Sequence, residues 1–179
     1  MLDNALITLI IQILISGEAT AGIENTPIAQ AFQPTQQGVN TQPTAFIYKI
    51  DDYRYGSLLR EDIWDPVHSR FNHIESQQYE TTFQLSTLAT QDPANQSQYT
   101  ASDICNLCAS ILQSDVAIKT FQASGVGIER ITRVRNPNLI DDRDRNEFNP
   151  NFDFVCTHKQ TISSTTPVLQ PTEIAIYEV

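Results

Sequence analysis

The chain has 179 residues, of which 40% are hydrophobic and 18% charged, a composition that fits one folded domain with a real core and excludes a disordered chain. Its 11 Lys and Arg stand against 21 Asp and Glu, a net charge of -10 with no basic cluster. Tight nucleic-acid binding needs cations to displace counterions from phosphates, so the balance argues against a DNA-binding role, although an acidic surface that DNA slides past is allowed. Gln, Asn, Thr and Ser are abundant, and a surface of neutral polar groups suits subunit contacts, because each buried charge there would need a partner.

The first predicted element is a helix over residues 3–16, with Asp3 as N-cap and Gly17 as stop. Asn4, Thr8, Gln12 and Ser16 make one narrow polar stripe on an otherwise apolar cylinder. Such a helix needs cover on several sides, from its own domain or from a second subunit. Its apolar run, Ala5 to Ile15, is shorter than the roughly 20 residues of a membrane span. Asp3 and Asn4 precede it where a signal peptide would carry basic residues, so neither membrane insertion nor export is expected.

Residues 18–45 are rich in Thr, Gln, Ala and Pro, with a short strand at Ile28 to Phe32 and a turn or projecting loop around Thr35 to Gln42. Ala45 to Ile50 (AFIYKI) reads as a strand. Residues 51–75 read as a long loop or extended hairpin arm, and a long excursion of this kind is usually functional. From Tyr79 to Thr87, Tyr, Thr, Phe, Leu and Thr alternate with polar residues, predicting a strand covered on one face. Thr100 and Asp103 have capping-box spacing, and Ile104, Leu107, Cys108, Ile111 and Leu112 follow at helical intervals. Ser114 caps a short helix, Val116 to Ala123, that ends at Gly125. A strand over Gly127 to Val134, a charged connection over 136–151, a strand over Phe152 to Thr161 and a last strand over Thr172 to Val179 complete the chain. Phe152, Phe154, Cys156 and His158 share one face. The order predicts a single α+β domain, 1–179, with an N-terminal and a central helix packed on one face of a mainly antiparallel sheet and an arm around 51–75.

Three clusters invite chemistry. Cys105, Cys108, Cys156 and His158 contain the donors of a zinc site, but the helical cysteines lie on the apolar stripe, where thiols behave as small hydrophobes. His68 and His73 lie near Asp65 and Glu75 without a nucleophile beside them, and read as surface or interface histidines. The run Asp141, Asp142, Arg143, Asp144, Arg145 lacks the Gly and terminal Glu of a calcium loop. It reads as a solvated loop or a salt-bridged subunit contact. No nucleotide-binding, zinc-protease or nucleophile-elbow motif occurs. No cofactor, metal or catalytic residue is therefore assigned.

The segment PIAQAFQPTQQGVNTQPTAFIYKI, residues 27–50, resembles the tail-terminator or neck (gateway) proteins of long-tailed bacteriophages. The matching features are Ile28 to Gln33, then Gly38 and Pro43, then Phe46 to Ile50. The strand at Tyr79 to Leu88, the helices of Thr100 to Gly125 and the late RNEFNPNFDFVC follow in the family's order, whereas residues 51–75 exceed its shortest members. The resemblance implies a tail-terminator-like α+β subunit that closes into a homo-oligomeric ring, a hexamer. Such a ring joins the head-side connector or adaptor to the tail tube, with the sheath as a further candidate partner, stops tube growth and leaves a DNA channel. The subunit would be synthesised in the host cytoplasm and reside in the virion neck. Another head-tail adaptor, collar or tail-completion subunit is the alternative, and a small metal- or thiol-dependent enzyme a more distant one. The expected interface residues are Gln36, Gln37 and Val39 in one loop, Tyr53, Tyr55, Trp64 and Phe71 in the arm, and Asp141, Asp142, Arg143 and Arg145.

Overall fold

The computed structural model describes residues 2–23, 26–30, 43–89, 97–140 and 146–167. The expected strand at Thr172 to Val179 and the loop Thr35 to Gln42 lie outside them. Three helices, α1 (Asp3–Thr20), α2 (Ala101–Leu112) and α3 (Asp115–Ala123), pack on a five-stranded sheet. The sheet comprises β1 (Ile28–Gln30), β2 (Thr44–Asp65), β3 (Arg70–Leu88), β4 (Val126–Ile128) and β7 (Asn151–Pro167), in the order β1-β2-β3-β7-β4. β1 runs parallel to β2, and the remaining pairs are antiparallel. β5 (Asn138–Ile140) and β6 (Asn146–Phe148) form a separate antiparallel pair within the predicted 136–151 connection. The fold is the expected α+β, mainly antiparallel, with its helices on one face.

The core follows from the alternation. Thr81, Phe83, Leu85 and Thr87 of β3 face the helices with Phe152, Phe154, Cys156 and His158 of β7, and all are buried. Opposite them stand Leu6, Ile10 and Leu14 of α1 and Ile104, Cys108, Ile111 and Leu112 of α2. Each large apolar side chain removed from water contributes about 2 kcal/mol, so the ledge of helix on sheet holds the domain together. α2 starts where predicted, with the Thr100 hydroxyl accepting from the Asp103 amide and the Asp103 carboxylate accepting from the Thr100 amide.

Several boundaries differ from expectation. α1 does not end at Gly17, nor does Asp3 cap it: Leu2 is the N-cap and Asp3 sits in the first turn. The helix runs on to Thr20 and stops at Gly22, whose φ of +73° lets its amide and that of Ile23 turn back onto the Ala19 and Glu18 carbonyls. Gly17 lies inside the helix at its contact with α2. The strand predicted over Gly127 to Val134 is only Val126–Ile128. Beyond it the Gln113 side chain donates to the Glu129 carbonyl and accepts from the Ile131 amide, substituting for a neighbouring strand. The strand at Ala45 to Ile50 is the first third of a 22-residue strand, and β7 runs six residues past its predicted end at Thr161. Among the described residues no helix is long and apolar enough to cross a membrane.

Candidate assembly interface

Of the two readings of residues 51–75, long loop or extended hairpin arm, the structure has the second, as the distal part of two long paired strands. β2 from Tyr53 to Asp65, β3 from Arg70 to Gln78 and β7 from Lys159 to Pro167 leave the helix-covered sheet together as a three-stranded arm. At about 3.3 Å per residue, the thirteen residues from Tyr53 to Asp65 carry its tip roughly 40 Å from the body. The tip is a turn held by Asp65, whose carboxylate accepts from the Val67 and His68 amides and from the His68 ring at 2.8 Å. Those bonds hold the Asp65 carboxyl below its ordinary value.

Two irregularities in β2 decide which side chains face which way. Lys49 opposes Phe83 while Asp51 opposes Thr82, so Ile50 is a single-residue bulge that inverts the alternation from there outward. Farther out, residues 56–58 oppose Gln77 alone. Gly56 has φ +70°, and the Gln77 amide donates to the Tyr55 carbonyl at 2.9 Å, tying the second bulge across the ladder. As a result Tyr53, Tyr55, Leu59 and Ile63 line one face of the arm, while Arg54, Arg60, Asp62 and Trp64 line the other. Trp64 and Phe71 touch at the tip, with ring centroids 4.9 Å apart.

A single sheet layer cannot cover itself. Residues 51–64 and 159–167 are exposed throughout. Tyr53 is 63% exposed, Tyr55 57%, and Trp64 and Phe71 43% each. Of the fourteen exposed large hydrophobics among the described residues, nine belong to the arm, spread over its two faces and its tip. Among the described residues both edges are open as well. β1 pairs only with 45–47 and β4 only with 156–158. Gln160 to Thr166 carries no charge and no bulge, the devices that ordinarily guard an edge strand. Within 53–78 and 159–167, Arg54, Arg60, Arg70 and Lys159 balance Glu61, Asp62, Asp65 and Glu75. The net charge of -10 therefore resides wholly on the rest of the chain.

A polar cluster, buried at Thr81 and His158 and open to solvent at Asp3 and Asp52, roots the arm in the body. Thr81 donates to Asp52 at 2.7 Å, and with its one proton so engaged it accepts from His158 Nε2 at 2.9 Å. Lys49 pairs with Asp52 and, at 2.8 Å, with Asp3 at the start of α1. Burial alone would raise the Asp52 carboxyl, but its bonds from Lys49 and Thr81 outweigh that and hold it below the ordinary value. The His158 ring stacks on Tyr79, and burial, the largest cause, lowers its pKa.

The four arm residues expected at the interface are split between opposite faces, Tyr53 and Tyr55 on one, Trp64 and Phe71 on the other. Gln36, Gln37, Val39, Asp141, Asp142, Arg143 and Arg145 lie outside the described residues. Leu59, Ile63 and Ile162 are also exposed on the arm and were not singled out in the sequence: the β2 irregularities break the period-two signal ahead of Leu59 and Ile63, and Ile162 is a lone apolar residue in a polar run. The histidines do not converge. His68 pairs with Asp65 at the turn, and His73 pairs with Asp62 at 2.6 Å and Thr166 at 3.0 Å, while Glu75 pairs with Arg60. Cys105, Cys108 and Cys156 are buried free thiols. Burial pushes Cys105 up to about 11 and Cys156 up to about 12, with Cys108 raised further. Among the described residues no group of three or more His, Cys, Asp or Glu is placed to hold a metal.

No curated protein matches the sequence. Among solved structures, the sheath/tube terminator of an extracellular contractile injection system (PVC), in its extended state, aligns with 8% identity and a TM-score of 0.48. The alignment covers 97% of this chain but only 64% of that one, so the chain spans less than two thirds of its length. A family model describing the E217 gateway protein gp29 matches residues 5–168, and the chain belongs to that gateway-protein family.

Proposed function

We propose that this chain is a structural subunit of a phage virion neck, which works by closing into a ring rather than by catalysis. Membership of the gateway family over residues 5–168 carries the reading. The arm supports it, since a three-stranded projection with two bare faces and open edges needs neighbours to cover it. In this reading six copies join head to tail, one rim of the ring meets the tail tube and any sheath around it, and the other meets the head-side connector. Tube growth stops at the ring, and DNA passes through a channel that the acidic chain does not grip. The arm residues Tyr53, Tyr55, Trp64 and Phe71 make the contacts, joined by Gln36, Gln37 and Val39 and by Asp141, Asp142, Arg143 and Arg145. The chain is one domain, made in the host cytoplasm and carried in the virion. An adaptor, collar or tail-completion subunit would share the ring and differ in its partners.

Native mass spectrometry of the purified chain over a concentration series, with and without tail tube, tests the proposal. A closed ring, alone or on addition of tube, is expected. A strict monomer that binds neither tube nor connector overturns it.

A further inference from the structure

Resting on the ring reading, a second surface completes the contact. A groove of about 420 Å³ runs along the outer side of α1 against the end of α3, lined by Asn4, Ala5, Thr8, Leu9, Gln12 and Ser124. None of these is ionisable. α1 has only two charged residues, and neither lines the groove: Asp3 is paired with Lys49, and Glu18 is buried. The Thr8 hydroxyl already donates to the Asn4 carbonyl at 2.7 Å and the Ser124 hydroxyl to the Thr120 carbonyl at 3.1 Å, so covering the groove strands neither of these hydroxyl donors.

We propose that the Trp64–Phe71 tip of one copy docks in the α1 groove of a second copy. The ladder of β2, β3 and β7 holds the tip roughly 40 Å out from its own body, so a copy cannot fill its own groove. A ring needs two different patches on each subunit, and the tip and the groove are two such patches. Charge favours this pairing over others. Among the described residues outside the arm, ten acids stand against five bases, so body-to-body contacts set like charges together. The neutral arm meeting an uncharged groove does not. Two aromatic rings, 4.9 Å apart and partly desolvated already, are the type of anchor that concentrates interface energy in a pocket.

The test uses the full chain in two forms. Thr8→Arg fills the groove with a charged side chain at an exposed helical position, and Trp64→Ala with Phe71→Ala strips the tip. Circular dichroism and thermal unfolding check that each monomer folds. Each variant alone should need at least tenfold higher concentration than the parent to assemble. Mixed together they should give a one-to-one dimer and nothing larger, because one supplies the only intact tip and the other the only intact groove. Independently, Thr8→Cys combined with Phe71→Cys should be linked between chains by a short bis-maleimide, the native thiols being buried. Thr8→Arg assembling like the parent, with no dimer in the mixture and no Thr8–Phe71 link, would overturn the groove assignment and leave the ring reading intact. A tip that binds only tube or connector protein would do the same. A parent chain that stays monomeric at every concentration, with and without tube, overturns both.

Discussion

Gly17 of α1 packs directly against Ile111 of α2: a Cβ on Gly17 would lie 2.2 Å from Ile111 Cγ2 and 3.1 Å from its Cβ. The obstructing atoms belong to a β-branched side chain, which cannot swing aside. Helix propensity alone would make Gly17→Ala stabilising by about 1 kcal/mol. Overpacking of this kind costs about 1–3 kcal/mol, and here the clash is with a stiff neighbour. Gly17→Ala should therefore lower stability by about 1–2 kcal/mol in urea unfolding, and Gly17→Ala with Ile111→Val should recover part of the loss. A stabilised single variant would mean that the helices separate freely.

Glu18 is 3% exposed, with its carboxylate accepting from Cys108 Sγ at 3.9 Å, and burial pushes its pKa up to about 7 from an ordinary 4.5. The folded chain thus holds this proton more tightly than the unfolded chain. Its contribution is most favourable below about pH 4.5, falls as pH rises to about 7 and is flat above. Glu18→Gln keeps the shape and cannot ionise. It should be more stable than the parent by up to about 3 kcal/mol at pH 8 and nearly equal to it at pH 4.5. Denaturant titrations at the two pH values check this, and a difference independent of pH would place the carboxylate in water.

What the sequence shows of this fold is its locally coded part. The Thr100–Asp103 cap, the alternation from Tyr79 to Thr87 and the buried face of Phe152 to His158 all depend on neighbours a few residues apart, and each stands where its pattern put it. The length of the arm was hidden because Ile50 and residues 56–58 interrupt the period of β2. Gly17 was read as a terminator because only its tertiary contact with Ile111 distinguishes a packing glycine from a stopping one. Tyr53, Tyr55, Trp64 and Phe71 were legible as aromatics in a long polar segment, but not the faces they occupy. The Asp3–Lys49–Asp52–Thr81–His158 cluster spans four elements, and no local pattern announces it.

That cluster should govern how firmly the arm is rooted. Thr81 is fully buried and serves both Asp52 and His158. Thr81→Val keeps the shape but takes one hydrogen bond from the buried His158 ring, at a cost of about 1–3 kcal/mol, and one from the more exposed Asp52. Stability should fall by about 2 kcal/mol, and hydrogen exchange should quicken at Asp52 to Arg54 and at Thr157 to Lys159 more than in α2. Uniform acceleration across the chain would show a merely global effect.

The three thiols give a reading of core integrity. With all three buried and their acidities suppressed, alkylation at pH 8 should follow global unfolding, not the free-thiol rate. Mass spectrometry after an iodoacetamide pulse should find no modification in buffer and three in denaturant. Rapid labelling of any one cysteine in buffer would reopen the thiol-dependent alternative.

Trp64 separates folding from assembly. Its ring lies 4.9 Å from Phe71 at the tip of the arm, remote from the helix-covered core, and is 43% exposed. Trp64→Ala should therefore leave the unfolding midpoint of the monomer within about 0.5 kcal/mol of the parent, as exposed substitutions usually do. A buried tryptophan anchor at an interface is worth about 2 kcal/mol or more, which is a loss of roughly 30-fold in the association constant. Tyr55→Ala tests the opposite face of the arm, since Tyr55 opposes Gln78 and Trp64 opposes Phe71, positions on opposite faces of β3. If both variants weaken assembly, measured by light scattering over a concentration series, both faces are covered in the ring. If only Trp64→Ala does, one face stays in solvent or waits for a different partner. A Trp64→Ala chain that unfolds instead of failing to assemble would return the tip to the monomer's own stability and remove it from the interface.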